Sequence, residues 1–336
     1  MSRRFFTSLL FIAFISFSST SASAQDVNEY YSKAKKFINK SKLDSASFYL
    51  AKALELSPDN LDILEDLLYV QYLDRDFVKA ITLGKNLIER KDATVKTFQL
   101  VGMTYKEIAE FKEAKKVYDK AILLFPNSGV LYNEYGDLYS QMQKPAEAIK
   151  MWEKGIEVDP SFSSDYYFAA KYYAENKNPV WALLYGETFV NIESLSDRTA
   201  EIKEMLASMY KRISAPGFLT ARNSNFAQAV TATFAKQAPI PVNSFNVPAL
   251  TLMRMNFIND WNKENNIKFP FKLYEYHNQL IKEGLFDAYN QWLFSSYNQD
   301  AYEAWKQANK DKQSAYEKFV GGRVYKIPAG QYYQSK

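Results

Sequence analysis

The chain of 336 residues contains no cysteine and a single histidine, His277. Disulfides, zinc–thiolate centres, cysteine nucleophiles and lipid attachment through a cysteine are thereby excluded, and imidazole clusters for transition metals cannot be assembled within one chain. Glycine and proline are sparse at 11 each. No glycine-rich loop follows a strand as a phosphate cradle would, and Gly321-Gly322-Arg323 reads as a helix stop. The net charge is only +4, slightly acidic over residues 25–214 and basic beyond them. Lys and Arg nowhere interleave with aromatics as a phosphate-tracking groove requires, so no nucleic-acid partner is expected. Carboxylates are scattered along solvent-facing positions, and none pairs as acid and base. The sequence therefore offers no catalytic residue, no metal ligand and no cofactor site.

Long apolar runs are also missing after residue 24. Before it, Arg3 and Arg4 precede a mostly apolar segment, residues 5–17, and Ala22-Ser23-Ala24 has the small-x-small form of a cleavage site. That run is shorter than the roughly 20 residues a bilayer span needs. Residues 1–24 are expected to be an export signal, leaving a mature chain from Gln25 that is soluble in the periplasm or cell envelope, with no integral membrane segment.

Aromatics are plentiful, with 25 Tyr, 24 Phe and 5 Trp, and they recur in register. Residues 95–128 carry Phe98, Val101-Gly102, Tyr105, Ala114, Tyr118, Ala121 and Pro126; residues 129–162 carry Tyr132, Tyr135-Gly136, Tyr139, Ala148, Trp152, Gly155 and Pro160. Stepping outward by 34 residues gives five blocks, 27–60, 61–94, 95–128, 129–162 and 163–196, each with alanine at its twentieth place: Ala46, Ala80, Ala114, Ala148 and Ala182. Small residues there let two amphipathic helices approach closely, larger ones fill the remaining space, and Pro58, Pro126 and Pro160 stop the second helix.

This pattern resembles the tetratricopeptide repeat family over residues 27–196, about half of the chain. The resemblance implies an all-α fold: an α–α superhelix over residues 25–214 followed by a helical C-terminal region. It also implies a non-enzymatic scaffold whose first helices line a concave face that binds a protein or peptide of the cell envelope. Carried onto this chain, the exposed places of that face are Glu65, Tyr69, Tyr72, Lys96, Gln99, Met103, Lys106, Asn133, Asp137, Ser140, Tyr167 and Lys171. A clamp for a C-terminal carboxylate would need a Lys/Asn/Arg set, which Tyr31, Lys35, Glu65 and Asp66 do not supply.

Past the repeats, Ile202, Met205, Leu206 and Met209 fall at helical spacing in a helix over 197–214, which reads as a cap on the array's apolar end. Residues 215–246 are rich in turn formers and read as a linker around a short helix, 226–236. Four further helices are expected at 247–265, 271–283, 285–296 and 300–319, then a tail with weak strand character. His277 lies on the second of these and reads as a packing residue. Trp261, Tyr274, Tyr289, Trp292, Tyr302 and Trp305 read as core, although they allow an alternative in which the C-terminal region is a separate ligand-binding or enzymatic domain carried by the repeats.

Overall fold

The computed structural model describes residues 19–215, 217–219, 224–241 and 244–333, with side chains from residue 24 onward. Most of the expected export signal (residues 1–18) lies outside the described residues, as do Pro216 and Asn223 of the expected linker turns. The fold is all-α. Ten helices follow in repeat order: α1 (Ser19–Ile38), α2 (Leu43–Leu56), α3 (Leu61–Leu73), α4 (Phe77–Leu87), α5 (Val95–Glu107), α6 (Phe111–Leu124), α7 (Gly129–Gln141), α8 (Pro145–Val158), α9 (Ser163–Glu175) and α10 (Pro179–Ile192). Helices α3, α5, α7 and α9 open at the first residue of their blocks. The expected cleavage point, Ala24-Gln25, lies within α1.

Local chemistry explains why the elements repeat. Asn60, Thr94 and Ser128 each accept from the backbone N–H three residues on, and so cap α3, α5 and α7. Phe162 holds the equivalent place before α9 without a side-chain cap. Between the two helices of each block the chain reverses through a left-handed residue: Ser41, Arg75, Ala109, Gln143 and Lys177, with φ of 53°, 61°, 57°, 58° and 55°. The next residue's N–H then reaches back five residues, as in Lys144 to the Tyr139 carbonyl at 2.9 Å and Asn178 to Tyr173 at 2.9 Å. This is the hydrogen-bonded helix stop that usually employs glycine, and no glycine fills it here.

Close packing sets the small places. A methyl group added at Gly136 of α7 would lie 2.3 Å from the Trp152 indole nitrogen on α8, and one at Gly155 of α8 would lie 2.0 Å from the Asp165 carboxylate on α9. Glycine is what allows a tryptophan and a buried carboxylate to sit at these two helix contacts.

The chain forms two compact units, Met1–Glu110 and Phe111–Lys336. The first contains α1 to α5, and in it Ala34, Ala46, Leu50, Ala53, Ile63 and Val70 of α1 to α3 form one apolar cluster. The second contains the later repeats together with α11 (Asp197–Lys211), α12 (Asn225–Ala235), α13 (Val247–Glu264), α14 (Lys272–Lys282), α15 (Phe286–Leu293), α16 (Gln299–Ala308) and α17 (Lys310–Gly321). One apolar core runs through it, from Ala148 and Phe189 through Leu206, Phe226 and Trp261 to Tyr289 and Tyr333.

Two expected helices differ from those observed. The helix expected over 300–319 breaks at Asn309, where the backbone leaves the helical region (φ −128°, ψ 44°) while its N–H and side-chain amide both donate to the Trp305 carbonyl and cap the first segment. The one expected over 285–296 ends at Leu293 and continues as a 3₁₀ turn, Ser295–Tyr297. The tail forms no strand among the described residues. It is tied down instead by Tyr333, which stacks on Phe226 at 4.6 Å and accepts at its carbonyl from the Ser224 hydroxyl at 2.7 Å.

Gln143 is exposed, so Gln143→Gly removes left-handed strain without disturbing packing. The substitution is expected to stabilise the chain by about 0.5–1 kcal/mol, read as a higher urea midpoint at unchanged slope. A loss of stability would contradict the left-handed turn.

Candidate partner-binding site

Helices α1, α3 and α5 turn parallel stripes toward one groove in the first unit. Lys35 and Ile38 come from α1 and Asn39 from the turn just after it, Asp66 and Tyr69 from α3, and Lys96, Gln99, Leu100 and Met103 from α5, where spacings of three and four residues keep them on one helix face. The groove encloses about 450 Å³. Tyr69, Lys96, Gln99 and Met103, four of the residues singled out from the repeat register, line it together. Its polar wall is internally paired: Lys96 Nζ lies 2.5 Å from Asp66 Oδ1, and the Tyr31 hydroxyl donates to Asp66 Oδ2 at 2.8 Å.

The other expected residues of this unit sit differently. Glu65 is only 3% exposed and accepts from the hydroxyls of Thr94 and Thr97, so it fastens α3 to the cap of α5 beneath the groove. Lys106 is buried. Tyr72 is half-buried, with its hydroxyl 3.4 Å from Glu107.

In the second unit Asn133, Tyr167 and Lys171 join neighbouring helices, whereas Asp137 and Ser140 do not. Asn133 donates to Asp165 at 3.1 Å, and Asp137 accepts from Gln141 at 2.9 Å, while Ser140 is exposed. Tyr167 donates to Glu201 of α11, and Lys171 pairs with the same carboxylate at 2.7 Å. Burial holds the Asp165 carboxyl well above the usual range, with Asn133 opposing it only in part.

The strongest electrostatic feature lies elsewhere, in the interior. Glu187 of α10 receives Arg254 of α13, His277 of α14 at 2.9 Å, Tyr289 of α15 at 2.8 Å and Tyr210 of α11 at 3.2 Å. Burial alone would push the Glu187 carboxyl up, but Arg254, His277 and Tyr289 outweigh it and hold it at about 2. Burial pushes His277 below its ordinary value, with Glu187 partly offsetting that, so the imidazole is neutral at pH 7 and donates to the carboxylate. The cavity beside this cluster measures about 20 Å³, room for one water and too little for a substrate. Sequence alone assigns His277 to packing and does not single out Glu187 or Arg254. The available signal is that Glu187 is the one charged residue of α10, a helix buried over most of its length, and a lone buried carboxylate requires a buried partner.

Comparison with known proteins accords with the repeat geometry. The tetratricopeptide repeat profile matches residues 95–128 and 130–162. Stress-induced-phosphoprotein 1 of Caenorhabditis elegans is 35% identical over 80 residues, 24% of this chain and 25% of that protein. The chain thus spans about a quarter of the length of the curated relative it matches. Among solved structures, a thermophilic tetratricopeptide-repeat protein of Thermus thermophilus is similar over 54% of this chain and 98% of its own, at 15% identity and a TM-score of 0.45. A tetratricopeptide repeat protein of Parabacteroides merdae is similar over 86% of this chain and 98% of its own, at 17% identity and a TM-score of 0.43. No helix among the described residues is long and apolar enough to cross a membrane.

The buried cluster fixes a pH dependence. Both Glu187 and His277 titrate lower in the folded chain than in the unfolded one, so each contributes stability that is present above its unfolded value and lost as pH falls. The cluster's contribution should decline from about pH 6.5, where unfolded histidine takes up its proton, and more steeply below about 4.5 as unfolded Glu does so. Asp165 and Glu153, whose carboxyls burial holds above their ordinary range, contribute in the opposite direction, so the cluster's part is read as the difference between the native chain and His277→Gln. Urea midpoints measured between pH 8 and 4 check this; His277→Gln should flatten the upper part of the decline.

Proposed function

The chain is a tetratricopeptide-repeat protein, and from that premise we propose that it is a non-enzymatic, exported scaffold that binds a protein or peptide partner of the cell envelope through the groove of α1, α3 and α5. The observation that carries this reading is the groove itself, where apolar Ile38, Leu100 and Met103 lie beside Tyr69 and the side-chain amides of Asn39 and Gln99. Such a mixture suits an extended peptide, whose backbone pairs with amides and whose side chains occupy apolar pockets. Export rests on residues 1–24, with cleavage after Ala24 and a mature terminus at Gln25.

The second unit supports the same reading from the opposite direction. Helices α12 to α15 share one core with α8 to α11, and Glu187 of α10 neutralises the buried Arg254 of α13 and accepts from His277 of α14. They act as a cover for the last repeats, in preference to a separate ligand-binding or enzymatic domain.

A photo-reactive benzoylphenylalanine placed at Met103 should cross-link a discrete envelope partner. The same residue at Val78 of α4, which is 78% exposed but outside the groove, should not. Equal adducts from both positions, or none from either, would remove the groove from the account. Mass spectrometry of the exported protein should find Gln25 at its N-terminus.

A further inference from the structure

Beyond Gly321-Gly322, where α17 ends, residues 323–333 return over the second unit without helix or strand. Among the described residues, 324–332 make no hydrogen bond from main chain to main chain, so side chains hold this segment in place. Ile327 is buried, Tyr325 packs edge-on to Tyr276 of α14 at 5.3 Å, and the Tyr333 hydroxyl donates to the Pro270 carbonyl at 2.6 Å. Gln331, next to the left-handed Gly330, accepts at its side-chain oxygen from the Lys272 N–H at the start of α14, at 2.7 Å. The Tyr332 hydroxyl bonds to Glu153 of α8, and Tyr173 of α9 donates to the same carboxylate at 2.6 Å. Glu153 is half-buried and makes no ion pair among the described residues; Lys154 beside it is taken by Glu157 at 2.8 Å. The segment thus closes over a carboxylate that only hydroxyls answer.

We propose that residues 323–333 are a pH-released strap, seated over α8, α9 and α14 while Glu153 is protonated and swinging away about Gly321-Gly322 when Glu153 ionises. Residues 321–324 are exposed, and a methyl group added at Gly321 would meet nothing within 4 Å, so the pivot is unobstructed. Seating also buries the Tyr325 hydroxyl, which finds no hydrogen-bond partner among the described residues, and that cost opposes closure. Glu153 contrasts with Glu187, which Arg254 keeps charged. Burial pushes the Glu153 carboxyl up to about 7, and Tyr173 and Tyr332 oppose that rise only in part. Burial and the charge of Glu153 hold both phenols above their ordinary range, so they remain donors while Glu153 titrates. Glu157, one turn further along α8, places a second negative charge on Tyr332. Because the Glu153 value is raised in the seated state, seating is strongest below about 4.5 and weakens as pH rises through about 7, opposite to the Glu187 cluster. Release bares Ile156 of α8 and Trp181 and Tyr185 of α10, which line a small cavity together with Ile327 and Tyr332 of the strap.

The absence of cysteine lets a single introduced thiol report on seating. Ile327→Cys places one under the strap, and Ala288→Cys places one in α15, where Ala288 is 2% exposed. Each thiol's reaction rate with a disulfide reagent, compared with its rate in urea at the same pH, gives its protection. Between about pH 5 and about pH 8, protection at position 327 should fall roughly tenfold or more, while that at position 288 stays constant. Glu153→Gln keeps a neutral acceptor for both phenols, so in that background protection at position 327 should be high and independent of pH; circular dichroism checks that the fold is kept. In the unsubstituted chain, hydrogen exchange of the Lys272 amide, taken relative to its intrinsic rate, should follow the same course, because Gln331 is its acceptor. A Lys272 amide whose protection does not change with pH, or a fall of equal size in Glu153→Gln, would overturn the proposal. So would a parallel loss of protection at position 288, which would trace the change to the whole unit and not to the strap.

Discussion

The second unit depends on one carboxylate kept charged where no water surrounds it. Glu187 sits in the middle of α10 at 1% exposure, and an isolated ion there would cost many kcal/mol. It is tolerated because four donors from α11, α13, α14 and α15 converge on it. Those donors are equally bound to the carboxylate, since Arg254 and His277 are themselves buried at 2% exposure each. Removing one side of such a pair typically costs about 3–5 kcal/mol, because the other charge is left without compensation. Replacing the whole cluster by apolar residues need cost nothing, so its effect is above all to fix which helix faces which.

That constraint divides the work of the chain. The late repeats are covered by the C-terminal helices, and the surfaces expected to be open there, such as Tyr167 and Lys171, are tied to Glu201 of α11. The first unit keeps its open groove, with apolar, amide and cationic groups side by side.

Much of the fold is legible in the amino-acid order because each repeat restates the same local rules. Alanine at the twentieth place, caps at Asn60, Thr94 and Ser128, and a helix stop every 34 residues are properties of short windows, which a periodic pattern exposes. Four groove residues are readable for the same reason, as the register alone places Tyr69, Lys96, Gln99 and Met103 on first helices. Other features depend on distant partners and carry no period. Glu65 occupies an exposed place by register, yet it is drawn inward by Thr94 and Thr97. Arg254 and Glu187 stand 67 residues apart in sequence, and only the packed core joins them. At Asn309 the backbone turns out of the helix, a break that the apolar spacing of its neighbours conceals.

The central claim is that the C-terminal helices and the late repeats form one cooperative body locked at Glu187. Hydrogen exchange of the native chain and of Glu187→Gln, followed helix by helix, measures it most directly, since Gln keeps the shape but leaves Arg254 uncompensated. The account predicts that α9 to α11 and α13 to α15 lose protection together in the variant. Retained protection in α13 to α17 while α10 alone is loosened would contradict it, and would make the C-terminal region a body that stands by itself.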